Sequence, residues 1–111
     1  MNALPDHIRE VVLKLESGLK DLYGDRFRGL LLYGSYARGD AREGSDVDLL
    51  LLLEGPVDTV REILRLQPVK WPLSLESTLV LSVMPVSIEA FERAKTAFLR
   101  TVQKEAIPAA A

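Results

Sequence analysis

Residues Leu30–Leu53 read LLLYGSYARGDAREGSDVDLLLLL. An apolar run, Leu30–Tyr33, ends at Gly34-Ser35. A polar loop with Arg38, Asp40, Arg42, Glu43 and Gly44 follows, and Asp46-Val47-Asp48 opens a second apolar run, Leu49–Leu53. Short apolar runs bounded by glycine and polar residues predict buried strands. Side chains alternate along a strand, so Asp46 and Asp48 share one face and Val47 points to the other. Two carboxylates about 6.5–7 Å apart on one strand call for a counter-charge. A divalent cation carrying phosphates would supply it. Asp46 alone would suit a loop exit; Asp48 fits that poorly, because five leucines follow it directly.

Around this segment the chain reads as alternating elements. Residues 5–23 predict an amphipathic helix, with Ile8, Val11, Val12, Leu15, Leu19 and Leu22 on its apolar face, Pro5 in the first turn and Gly24 as its stop. Phe27–Tyr33 is the first strand. Gly34 permits a tight turn and close approach of a bound group. Ser35 is expected to cap a short helix from about Tyr36, whose first amides favour an anion. The GxxxxGK[ST] phosphate loop is absent. Asp46–Leu53 is the second strand, apolar on both faces beyond its polar start and therefore central. Asp58–Leu66 predicts a helix capped by Asp58, with Val60, Ile63, Leu64 and Leu66 buried. Gln67 to Pro72 should break it, and Trp71 should cover the edge of the core. Thr78–Val86 is the third strand, with Leu79, Leu81 and Val83 on one face and Val80, Ser82, Met84 and Val86 on the other. Pro85 implies that the strand is near a sheet edge there or is ending. Ser87 caps a helix, a further helical segment spans Ala94–Glu105, and Pro108 with the alanine tail should fray. The sum is one domain, residues 1–111, of α/β (α+β) class: a small mixed sheet flanked by helices.

Composition narrows the chemistry. The 111 residues contain no cysteine and one histidine, His7, so thiolate sites and histidine-rich zinc sites are excluded. Net charge is -2, from 14 basic and 16 acidic side chains, which argues against direct nucleic-acid binding through bulk charge. No run reaches the roughly 18 apolar residues of a membrane helix, and the start MNALPDHIRE has no signal-peptide pattern. The default is a soluble, cytoplasmic protein. The candidate site comprises Asp46 and Asp48 as metal ligands and catalytic carboxylates, and Gly34, Ser35 and Arg38 around a phosphate. Arg42 is a further cation in the same loop. Hard oxygen donors point to Mg²⁺ or Mn²⁺.

Gly34-Ser35, ten residues, then Asp46-Val47-Asp48, resembles the signature of the DNA polymerase β-like nucleotidyltransferase superfamily. The flanks Ala37-Arg38-Gly39 and SDVDLLL from Ser45 agree. The chain's size, and its later part from Leu79 through Ser87 to Phe98-Leu99-Arg100 and Glu105, resemble the minimal nucleotidyltransferase branch. Members of that branch are typically encoded beside a small helical HEPN-class toxin, and several are thought to silence it by adenylylating a tyrosine. The resemblance implies a nucleotidyltransferase-like fold and ATP as substrate. Gly34 and Ser35 would hold the triphosphate, Asp46 and Asp48 the metals, and a HEPN-type protein, or a second copy of the chain, would be the partner. The superfamily's fuller pattern has a third carboxylate on a later strand. Between Thr78 and Val86 there is none: Ser82 is the polar residue there, and Glu76 is the nearest upstream acid. Two functions stay open, a transferase moving adenylate to a hydroxyl and a non-catalytic antitoxin that binds its toxin.

Overall fold

The computed structural model describes residues 4–109. Its elements are α1 (Asp6–Tyr23), a 3-10 turn (Gly24–Arg26), β1 (Phe27–Tyr33), α2 (Ser35–Arg38), β2 (Val47–Leu53), α3 (Thr59–Ser77), β3 (Leu81–Ser87), α4 (Ile88–Arg93), α5 (Ala97–Glu105) and β4 (Ile107–Pro108). The four strands form one mixed sheet in the order β3-β2-β1-β4. β1 runs antiparallel to β2 and to β4, and β2 runs parallel to β3. The expected α/β layer with helices on a mixed sheet is therefore present.

β2 is central, as its leucine run requires. Leu49, Leu51 and Leu53 face the helices α1 and α3, together with Val12, Leu15, Leu19 and Leu66. Leu50 and Leu52 face the opposite side, where Val102 of α5 and Phe91 of α4 cover them. Each fully buried leucine contributes about 2 kcal/mol of transfer free energy, so this strand alone anchors both layers. α1 and α3 approach closely at Gly18, where an added Cβ would come 2.6 Å from Val69 Cγ1. β3 is an edge strand, which is why Pro85 is tolerated opposite Leu51. Ser87 caps α4 by accepting the Ala90 N–H at 3.0 Å.

Several expectations are corrected. Leu22 of α1 is exposed, and Tyr23 takes its place in the core. α3 does not stop at Leu66 but continues through Pro68 and Pro72 to Ser77. Both prolines lie on the exposed side, four residues apart, so the hydrogen bonds they forfeit fall toward solvent. The helix is also rotated from the expected face. Glu62, Leu66, Val69 and Leu73 turn inward, while Val60 (69% exposed), Leu64 (66%) and Trp71 (56%) face outward. Trp71 therefore does not cover the core edge. The third strand begins at Leu81 rather than Thr78, and Glu76 ends up exposed in the last turn of α3, lining a cleft with His7, Glu10 and Lys14. Pro108 does not fray: β4 pairs with Leu31 and Leu32, and the Ala109 N–H donates to the Leu30 carbonyl at 3.0 Å. Ala110 and Ala111 lie outside the described residues. Among the described residues no helix is long and apolar enough to cross a membrane.

Candidate functional site

The β1–β2 register places Tyr33 opposite Asp48. Gly34 follows Tyr33 directly, so the turn after β1 lies against that carboxylate. Gly34 has φ +76°, and a Cβ there would sit 2.2 Å from Asp48 Oδ2 and 3.0 Å from its Cγ. Both the backbone conformation and the space demand glycine. Sheet pairing thus joins the two halves of the sequence motif physically.

Asp46 stands exposed just before β2, Val47 is fully buried, and Asp48 is half-buried, so the alternation holds. The Val47 N–H donates to the Val80 carbonyl at 2.9 Å, fixing the strand entry against β3. Burial pushes the Asp48 carboxyl above its ordinary range; the negative charge of Asp46 adds to this, the Arg38 guanidinium opposes it, and Glu105 adds further. The Tyr33 hydroxyl is likewise raised, by burial and then by Asp48 and Glu105. The centre therefore carries more negative charge than its own cations neutralise.

Ser35 does not cap α2. It is the helix's first residue, Gly34 occupies the cap position, and no side-chain cap is made. α2 has only four residues, so the anion contact here is local rather than a helix dipole: the Gly34 N–H and the Arg38 guanidinium. Arg38 contacts Asp40 Oδ2 at 3.3 Å and Glu105 Oε2 at 3.4 Å. Arg42 is not among the groups acting on Asp48; it lines a cleft with His7 and Tyr36, and its backbone N–H is held by Ser45 Oγ at 2.8 Å.

The place beside Asp48 on the neighbouring strand is held by Ser82, in register with it and exposed. Glu76 does not join the centre. The acid that does is Glu105, the last residue of α5. Its Oε1 accepts the Gly34 N–H at 3.0 Å, and its charge acts on both Asp48 and Tyr33. Residue-by-residue reading of the sequence gave Glu105 no role, because its return to Gly34 depends on β4 pairing beside β1, and a two-residue strand leaves no periodic signal. Among the described residues, no three His, Cys, Asp or Glu side chains group closely enough to hold a metal by themselves. Asp46 and Asp48 offer two hard oxygen donors. That set suits Mg²⁺ or Mn²⁺ when phosphate oxygens and water complete the shell.

A family model described as "Nucleotidyltransferase domain" matches residues 12–107. A "Putative protein adenylyltransferase" of Methanocaldococcus jannaschii is 29% identical over 96 residues, covering 86% of this chain and 92% of that protein. A second protein of that organism, with the same form of name, is 41% identical over 49 residues, covering 44% of this chain and 47% of the other. Among solved structures, a "toxin-antitoxin with AMP-PNP" superposes with a TM-score of 0.62 at 18% identity, over 91% of this chain and 71% of that one. A "putative nucleotidyltransferase" from Sulfolobus solfataricus gives 0.59 at 15% identity, over 92% and 75%. These structural likenesses concern the fold. The family match spans most of the chain and contains the whole Gly34–Asp48 constellation, so the chain belongs to the nucleotidyltransferase domain family.

Proposed function

We propose that this chain is a metal-dependent nucleotidyltransferase that moves adenylate from ATP to a hydroxyl on a partner protein, the partner being a small helical toxin of the HEPN class. The observation that carries the reading is the closeness of the Gly34 turn to the Asp48 carboxylate, which sets the motif's glycine against one of its two aspartates. Relatives bearing the name protein adenylyltransferase support the acceptor class, and a toxin–antitoxin structure of the same fold supports the partner.

In this reading Gly34 N–H, Ser35 Oγ and Arg38 bind and orient the triphosphate. Asp46 and Asp48 would hold a divalent cation, which would supply positive charge to the phosphates and to the departing pyrophosphate. The acceptor oxygen bonds to the α-phosphorus, the bond from that phosphorus to the pyrophosphate oxygen breaks, and the hydroxyl proton leaves toward the carboxylates. The protein's contribution is positioning and electrostatics.

A second reading has a specific observation behind it. Ser82 occupies the β3 position beside Asp48, and a serine is a poor ligand and base, so the chain could neutralise its toxin by binding alone. One experiment separates the two: Mg²⁺-dependent transfer from α-labelled ATP to the product of the adjacent gene, native against Asp46→Asn plus Asp48→Asn. The transferase reading expects labelled partner, with label reduced at least about a thousand-fold in the double variant. The variant should melt no lower than native, because two like charges have been removed. An unlabelled partner in a well-formed complex would leave the binding reading in place.

A further inference from the structure

We propose that the Glu105 carboxylate is a built-in occupant of the phosphate cradle, which a nucleotide must displace, so that the site discriminates against polyphosphate arriving without a cation. This rests on the nucleotide-binding reading above and adds to it the means of selection.

The donors tell the story. The Gly34 N–H and the Arg38 guanidinium are the groups a phosphate would use, and in the free protein both are taken. Glu105 Oε1 lies 3.0 Å from Gly34 N, and Arg38 Nη1 lies 3.5 Å from Oε1 and 3.4 Å from Oε2. A carboxylate on two cationic or N–H donors is a close chemical mimic of a phosphate edge. The Glu105 side chain is 18% exposed and that of Arg38 48%, so the carboxylate is sheltered while the guanidinium stays open to an incoming ligand.

The backbone beneath Glu105 is fixed while the carboxylate is not. The Ala106 N–H closes α5 on the Val102 carbonyl at 2.8 Å, β4 is paired to β1, and Val102 and Ala109 are buried. None of these anchors uses the Glu105 side chain. Rotation about its own bonds can therefore vacate the cradle without unfolding α5.

Charge then sets which ligand succeeds. Asp48 feels the negative charge of both Asp46 and Glu105, and Arg38, shared with Asp40, is the cation that opposes them. A bare polyphosphate must displace one anion while facing two others. A polyphosphate carrying a divalent cation brings positive charge to the carboxylates and loses that penalty. Glu105 is thus a positioning and selecting residue.

The test is calorimetric binding of ATP and of inorganic pyrophosphate to native protein and Glu105→Gln, each with chelator and with Mg²⁺. Glutamine keeps the size and removes the charge. The expected result is roughly tenfold tighter metal-free binding in the variant, with a smaller gain on adding Mg²⁺ than native shows. Equal or weaker metal-free binding in the variant overturns the proposal. Should native and variant, both folded, bind neither probe with or without Mg²⁺, the nucleotide reading itself fails and takes this one with it. A second measurement needs no variant: in native protein titrated with pyrophosphate, the Gly34 amide and the Glu105 side-chain carboxyl resonances should move together with one Kd. Movement of Gly34 without Glu105 would overturn the displacement.

Discussion

The two ends of β1 use the same residue types to opposite effect. At the Phe27 end, the carboxylate Glu62 is 3% exposed and fully engaged: Tyr23 Oη donates to it at 3.0 Å, and Arg26 and Arg65 each lie 3.4 Å away. Arg26 continues outward to the carbonyls of Glu54 and Pro56, both at 3.2 Å, and Arg28 pairs with Glu54. At the Tyr33 end, Asp48 feels the negative charge of Asp46 and Glu105, and only Arg38 among the groups acting on it opposes them. A buried charge with both oxygens met holds a fold together, whereas an excess of one sign that the fold does not neutralise is the kind of place a ligand can complete. On the proposed function the first end is structural and the second receives the ligand, and substitution should tell them apart.

The largest stability effect belongs to the neutralised end. Glu62→Ala removes three partners from a buried position and should cost about 2–3 kcal/mol in urea unfolding. The Asp46→Asn plus Asp48→Asn protein should cost nothing in the same assay. Equal losses in both proteins would erase the contrast.

Gly34→Ala ranks next. Its φ of +76° strains any residue with a Cβ, and the clash with Asp48 Oδ2 must be relieved by moving that carboxylate. The expected loss is about 1–2 kcal/mol of stability, and because Asp48 is displaced, nucleotide binding should fall further than the melting point suggests. An alanine variant with native stability and native binding would show that the turn and the carboxylate are not coupled.

The two ends also differed in how far the sequence announced them. The Tyr33 end was legible because its parts are local: Gly34-Ser35 and Asp46-Val47-Asp48 flank two apolar strands, and antiparallel pairing brings them together almost inevitably. Glu105 was the exception, since its approach depends on a distant two-residue strand. The Phe27 end was hidden. α3 carries two apolar stripes, one through Val60, Leu64 and Trp71 and the other through Leu66, Val69 and Leu73, and hydropathy alone favours neither. What decides between them is Glu62, which shares the second stripe and finds Tyr23 and Arg26 beneath it. A buried glutamate reads as a surface residue until its partners are known. The same blindness hid the helix beyond Pro68, because prolines on a solvent-facing side cost far less than propensity implies.

The smallest effect is the most discriminating, because it is a matter of pH. Burial, the hydrogen bond to Glu62 and that group's negative charge push the Tyr23 hydroxyl from 10.0 up to about 12. The unfolded chain loses this proton near pH 10, while the native protein keeps it to about 12. Across that window the native state binds more protons, so stability must fall as pH rises; the contribution is whole below pH 10 and gone above about 12. Tyr23→Phe gives up the bond to Glu62 and should be about 1 kcal/mol less stable than native at pH 9. The gap should close between pH 10 and 12, because phenylalanine has no proton to lose. Tyr33 is the control from the other end. Its hydroxyl is raised by burial and by Asp48 and Glu105, yet it donates to neither, so Tyr33→Phe surrenders no hydrogen bond and should match native stability at pH 9. A gap for Tyr33→Phe as large as that for Tyr23→Phe would mean that both tyrosines are held by partners, and the distinction between a neutralised end and an unneutralised one would fail at its simplest point.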